Sequence, residues 1–164
     1  GHPDLAASKD RHEGYRQGLA DAGFAYDEGL VAQGFFTYRS GLDAAEQLLA
    51  QDNPPTAIFA SNDDMAAAAV AVAHRRGLDV PGDLTVCGFD DVAMATTIWP
   101  ELTTIHQPIA AMSRQAVELL ATFLRNKRSA EVGEQRIMVD YELVRRQSDA
   151  APRRRPATRV PATV

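Results

Sequence analysis

Short apolar runs alternate with amphipathic stretches along the chain, each with its own punctuation. Asp10–Ala22 (DRHEGYRQGLADA) puts Tyr15, Leu19 and Ala22 on one face, which predicts a helix with Asp10 as its cap and Gly23 as its stop. Leu30–Phe35 (LVAQGF) is short and apolar, a strand candidate. Ser40–Gln51 predicts a second helix, with Ser40 as cap and Leu42, Ala45, Leu48 and Leu49 along one side. Pro54-Pro55 forbids helix and leads into a buried-type strand, Thr56–Ala60. Asp63–Arg76 is strongly helix-forming and closed by Gly77, and after Pro81-Gly82-Asp83 another buried-type strand spans Leu84–Gly88.

The last third has a different rhythm. A loop over Asp90–Pro100 leads to a strand at Leu102–His106. Pro108 then opens a long helix to Lys127, striped by Ile109, Met112, Ala116, Leu119, Leu120 and Phe123. Gln135–Val144 alternates Ile137, Val139, Tyr141 and Leu143 with polar neighbours, the pattern of a strand near a sheet edge. Strands and helices in alternation predict an α/β fold, an open parallel sheet of Rossmann-like kind wrapped by helices.

Charge changes this picture in one respect. Residues 1–150 hold all 22 acids against 13 bases, whereas 151–164 hold arginines and no acid. An acidic body is a poor surface for nucleic acid, whose phosphates are bound by basic patches. The proline- and arginine-rich tail has little to bury and reads as a disordered extension. No apolar run is long enough to span a bilayer. A lone cysteine, Cys87, excludes an intrachain disulfide; lying in an apolar strand without a basic neighbour, it reads as a packing residue.

In an open parallel sheet, ligands bind beyond the carboxyl ends of the strands. Phe36 follows the first strand candidate, Ser61-Asn62-Asp63 the second and Phe89-Asp90-Asp91 the third. Arg11, at the opening of the first helix, falls on the same edge if a strand precedes Gly1. Stacking from Phe36, charged hydrogen bonds from Arg11 and Asp90, and both polarities from Asn62 suit a neutral polyhydroxyl or heterocyclic ligand. The plainer alternative makes Asp63 a helix cap and Asp90 and Asp91 solvated loop residues. Enzyme readings are weaker. The chain has no GxSxG elbow, phosphate loop or GxGxxG fingerprint, and neither lysine, Lys9 or Lys127, sits where a phosphoacceptor site of Asp63-Asp64 and Asp90-Asp91 would need it. His2, His12, His74 and His106 lack metal-ligand spacing. Neither a cofactor nor a metal is expected.

Several of these segments together resemble one family. Arg11-x-x-Gly14, PTAIFASNDDMA (55–66), GLDVPGDLTVCGFDD (77–91), PELTTIHQP (100–108) and Leu143-Val144-x-Arg146-x-Ser148 are similar, in order, to segments of the lactose/galactose repressor family of bacterial transcription regulators. The resemblance covers about Gly1 to Ser148. It implies a periplasmic-binding-protein-like core whose cleft holds a small effector, with an N-terminal helix-turn-helix domain, a hinge helix and most of the N-terminal subdomain lying outside this sequence. By motif match, the cleft residues are Arg11, Phe36, Asn62, Asp90 and Gln107, the last nominated by the resemblance alone.

The implied organisation is 1–107 as the C-terminal effector-binding subdomain, 108–134 as a crossover helix belonging to the other subdomain, 135–148 as a returning strand region and 149–164 as the tail. With no partner sheet for its stripe, the crossover helix is expected to be displaced, disordered or buried against a second copy. The small residues Ala66, Ala67, Ala69, Val70 and Ala73 are expected to form the face of a homodimer. The implied function is sensing of a sugar or sugar-like effector by a cytoplasmic regulator that reaches DNA only through its missing domain. The rival is a periplasmic sugar-binding protein of a transporter, which shares the fold.

Overall fold

The computed structural model describes residues 1–125 and 137–149. The elements run α1 (Ala6–Asp21), a 3₁₀ turn (Glu28–Leu30), α2 (Tyr38–Leu49), β1 (Ala57–Phe59), α3 (Asp63–Arg75), β2 (Thr85–Cys87), α4 (Met94–Thr97), β3 (Thr104–His106), α5 (Ile109–Arg125) and β4 (Glu142–Val144). β1 and β2 pair in parallel, Ile58 opposite Val86, and β3 and β4 pair antiparallel, Ile105 opposite Leu143. Parallel bridges from Cys87 to Thr103 and from Asp90 to His106 join the two pairs side by side.

The core lies where α2 and α3 pack on each other and α3 on β1 and β2. α3 starts on Asn62, whose extended backbone and Oδ1, accepting from the Met65 N–H at 3.0 Å, cap the first turn. Asp63 and Asp64 in that turn, and His74 and Arg75 in the last, complement the helix dipole. Gly41 lets α2 come close. A Cβ there would stand 2.7 Å from the Met65 Cα and 2.8 Å from the Ala68 methyl. That contact absorbs the small face of α3: Ala66, Ala67, Ala69, Val70 and Ala73 are all at most 2% exposed within the single chain. They cannot meet a second copy as expected, because α2, α4 and the sheet already cover α3.

Several local expectations are corrected. α1 begins at Ala6 and Asp10 lies inside it; Leu5 stands at the N-cap with no side-chain bond. α2 is capped by Thr37, with Ser40 completing a reciprocal capping box three residues on. Leu30–Phe35 is not a strand. Val31 is extended (φ −114°, ψ 120°), but no ladder forms along the segment, and a strand needs a paired neighbour. The loop over Asp90–Pro100 holds the short helix α4. Among the described residues of the alternating segment Gln135–Val144, those from Ile137 on, the strand is Glu142–Val144, the part facing β3; Ile137, Met138 and Tyr141 are exposed.

α5 is the largest departure. It is fully helical, stands alone in the chain and buries no residue along its length. Of the three expected outcomes, disorder is not found, and no described element of the single chain buries the stripe. β3 leads straight into it and β4 returns only after it, so no described element lies across its stripe. The expected helix end at Lys127, the rest of the crossover segment to 134, the first two residues of the returning region and the tail from Ala150 onward lie outside the described residues. Asp149, assigned to the tail, is instead held by Arg145 and by the Thr103 hydroxyl.

Candidate functional site

Arg11, on the second turn of α1, is held from four directions. Its guanidinium donates to the Ser61 carbonyl and to Asp90 Oδ1 at 3.3 Å, and stands 3.9 Å from the centre of the Phe89 ring and 5.6 Å from that of Phe36. Ser61 ends the β1 segment, Phe89 and Asp90 follow β2, and Phe36 precedes α2. The carboxyl edge of the sheet therefore delivers all of them to one place. Gln107, just beyond β3, donates its amide N–H to the same Asp90 Oδ1. Asp90 Oδ2 has no hydrogen-bond partner among the described residues. Beside it an open depression of about 510 Å³ is lined by Asp90, His106, Gln107 and the first turns of α5.

The predicted residues thus converge, but Asn62 does so in a different capacity. Its Oδ1 caps α3 and its Nδ2 donates to the Phe36 carbonyl at 3.0 Å, so its polar atoms hold the loop that presents Phe36. Phe89 was passed over as a site residue although its ring lies closer to Arg11 than Phe36 does; its position directly after a strand was the available signal.

Three residues here sit in the left-handed region that side chains disfavour: Phe36 (φ 60°), Asp90 (φ 112°) and Asp91 (φ 55°). Each costs on the order of 1–3 kcal/mol and must be held by its surroundings. The holding bonds are visible. The Asp90 N–H donates to the Ile105 carbonyl at 2.9 Å and the Val92 N–H to Asp63 Oδ2 at 2.9 Å. Asp63 is fully buried and also accepts from the Thr104 hydroxyl at 2.6 Å, which ties the start of α3 to β3 and to the site loop. Gly88 makes room for it, since a Cβ there would fall 2.2 Å from Asp63 Oδ1.

The three carboxylates are tuned apart. Burial pushes Asp63 above the ordinary aspartate range, against the bonds from Thr104 and Val92 and with the charges of Asp90 and Asp91 adding to the rise. Burial likewise raises Asp90, opposed by Arg11 and Gln107 and reinforced by Asp64. Burial also acts to raise Asp91, but Arg146, bonded at 2.6 Å, and His106, at 3.0 Å, more than reverse it and leave Asp91 low. Asp91 is bonded on both oxygens, to Arg146 and His106, whereas both bonds to Asp90 fall on Oδ1. Cys87 is half-buried, its thiol pushed up by burial and by Asp149, with Arg145, a basic neighbour not expected from the sequence, acting against the rise.

A family model described as the periplasmic binding protein-like domain matches residues 1–148. The chain belongs to this family. Within it, the family's relatives here are regulators of the lactose/galactose repressor kind. The chain is 40% identical over 148 residues to an HTH-type transcriptional regulator, DegA of Bacillus subtilis, a match that covers 90% of this chain and 43% of that protein. Among solved structures it is similar to a transcriptional regulator CelR–cellobiose complex (TM-score 0.84, 36% identity, 91% of this chain and 45% of that one). It is also similar to a sugar-binding regulator of the LacI family from Escherichia coli complexed with phosphate (TM-score 0.81, 35% identity, 93% and 53%). This periplasmic binding protein-like chain therefore spans about half the length of the relatives it matches.

Proposed function

We propose that the chain is the effector-sensing part of a bacterial transcription regulator, and that its effector is a sugar or a sugar-like polyhydroxyl molecule. The observation that carries this is the Arg11–Asp90–Gln107 cluster between the Phe36 and Phe89 rings, with one Asp90 oxygen left for a ligand hydroxyl. A preorganised carboxylate beside a guanidinium binds vicinal hydroxyls bidentately, and aromatic faces take the apolar side of a sugar ring. The cellobiose in the CelR complex supports the ligand class. No bond is made or broken. The ligand shifts the population of two states of the regulator, and a separate helix-turn-helix domain reads DNA in the cytoplasm. Pairing into a homodimer belongs to this reading and has to use a surface other than the buried face of α3. The transport reading loses ground because the relatives named above are regulators.

The test is calorimetry on the regulator that carries this chain, titrated with mono- and disaccharides, nucleosides and purines. A sugar is expected to bind, and Asp90→Ala is expected to weaken it about ten- to a hundredfold, as loss of a charged hydrogen-bond partner worth ~1.5–3 kcal/mol implies. Unchanged affinity in a folded Asp90→Ala protein, or binding by a purine alone, overturns the reading.

A further inference from the structure

Of the four histidines, His106 is the one that lines the depression beside Asp90. It is the last residue of β3 and is tied to the site through the backbone: it bridges to Asp90, and Gln107, which donates to Asp90 Oδ1, follows it in the chain. The imidazole is about half exposed, and its Nδ1 lies 3.0 Å from Asp91 Oδ2. Its Nε2 has no hydrogen-bond partner among the described residues; Glu142, opposite His106 in the β3–β4 ladder, makes no bond to it.

Asp91 decides which ring nitrogen carries the proton. The carboxylate is fixed before His106 meets it, because Oδ1 accepts from Arg146 at 2.6 Å and Arg146 is itself held by the Leu102 carbonyl. Both members of that pair are mostly buried. An ionised carboxylate only accepts, so the imidazole nitrogen facing Oδ2 has to supply the hydrogen. In the neutral ring Nδ1 then carries the proton, and Nε2 is left with a lone pair. The Arg146–Asp91 pair thus sets the polarity of the exposed edge of His106 from behind.

We propose that His106 is a further ligand-contacting residue of the effector site, and that its Nε2, kept as an acceptor by Asp91, takes a hydrogen bond from a hydroxyl of the sugar. This rests on the sugar reading of the site and narrows it. Asp90 Oδ2 and Gln107 Oε1 also have no partner among the described residues. With Nε2 they line one side of the depression with three acceptors, whereas the cation of the lining, Arg114, comes from α5. A free hydroxyl can donate to each of them; a methoxy or deoxy position, or an ionised acid group, cannot. A site built to pair with hydroxyls rejects analogues that lack them, because its own polar groups are then left unpaired. The depression therefore selects sugars with free hydroxyls on the side turned to β3.

The test has two arms. On the chain itself, the side-chain ¹⁵N resonances of His106 in mildly alkaline buffer report the tautomer: Nδ1 is expected at the protonated, pyrrole-like position and Nε2 at the unprotonated, pyridine-like one. Asp91→Asn keeps an oxygen for Arg146 and turns an amide N–H toward His106, and asparagine tolerates the left-handed backbone there (φ 55°). That variant is expected to exchange the two assignments. The second arm is calorimetry on the regulator that carries this chain, titrated with glucose, galactose, ribose, maltose and cellobiose. His106→Leu is expected to weaken the sugar of this set that binds about three- to tenfold, as loss of one neutral hydrogen bond implies. His106→Gln, whose Oε1 can stand where Nε2 stood, is expected to recover most of that loss. A proton on Nε2 in the parent chain, or equal loss in His106→Leu and His106→Gln, overturns the proposal. Sugar binding that is intact in His106→Leu also overturns it and leaves the sugar reading standing, whereas no binding by any of the five sugars overturns both.

Discussion

α2 and α5 carry apolar stripes of the same kind and end in opposite circumstances. In α2 the stripe closes onto α3, burying Ala45, Leu48 and Leu49 around the Gly41 contact. In α5 Met112, Leu119, Leu120 and Phe123 repeat at the same helical spacing, and all four are exposed, with no described element across them. Amphipathic periodicity therefore states that a helix has an apolar face but is silent about what meets it. What separates the two helices is topology: α2 lies between segments that return to one sheet, whereas α5 is an excursion between β3 and β4, tied to the body only at its ends.

The comparison is broken most directly by truncation in α2. Leu48 is 8% exposed, and Leu48→Ala is expected to destabilise the chain by about 2–5 kcal/mol in urea denaturation, through lost transfer energy and the cavity left behind. A cost below ~1 kcal/mol would mean that the α2–α3 contact is looser than its geometry states.

Next in size is the link from the core to the site. Asp63→Ala orphans the Thr104 hydroxyl and the Val92 N–H, at about 1–3 kcal/mol for each buried donor. The variant is expected to lose roughly 2–4 kcal/mol and to shift the NMR resonances of Asp90 and Asp91, whose left-handed backbone this contact holds. Because the folded-state pKa of Asp63 is raised, its pH-linked contribution is fully present below the ordinary aspartate value and lost as pH rises through the folded value. Asp63→Asn should flatten the wild-type stability profile in that window.

Legibility followed the same division. The β/α alternation, the stripe of α2 and the strand cores around Ile58 and Val86 were readable because each is local and satisfied nearby. So was the convergence of Arg11, Phe36 and Asp90, since strand ends and helix starts must share an edge. The role of Asn62 as a loop holder was not legible, because an Asn before a helix can cap it and serve a ligand with the same pattern. The fate of the alanine face of α3 was hidden for another reason. Its availability depended on Gly41, more than 20 residues earlier, permitting a close approach that no helical wheel of α3 contains.

The return of the excursion sharpens the comparison at lower cost. Arg146 lies just past β4, bonds Asp91 at 2.6 Å and the Leu102 carbonyl at 2.8 Å, and is mostly buried, as is its partner. Arg146→Ala is expected to cost about 1.5–3 kcal/mol near neutral pH. Asp91 has a lowered folded-state pKa, so its contribution is present above the ordinary aspartate range and lost as pH falls through the folded value. The cost of Arg146→Ala should accordingly shrink on acidification, read as converging urea midpoints. A cost independent of pH would assign the effect to the Leu102 bond and the packing of the Arg146 stem.

The smallest expected effect is the counterpart of the first. Leu120 lies on the α5 stripe at 58% exposure, so Leu120→Ala removes atoms that are already in water and leaves no cavity. Alanine also has the higher helix propensity, which offsets part of any loss. The change in stability should stay within about 0.5 kcal/mol of zero, as for surface substitutions with no partner. Solubility offers a second reading, since an uncovered stripe of large apolar side chains promotes association and its truncation should lower concentration-dependent sedimentation. Measured beside Leu48→Ala in the same buffer, the pair isolates topology from sequence pattern, because the same substitution is made on the same kind of stripe. If Leu120→Ala costs as much as Leu48→Ala, and the cost grows with protein concentration, α5 is covered in solution by another copy and the contrast between the two helices vanishes.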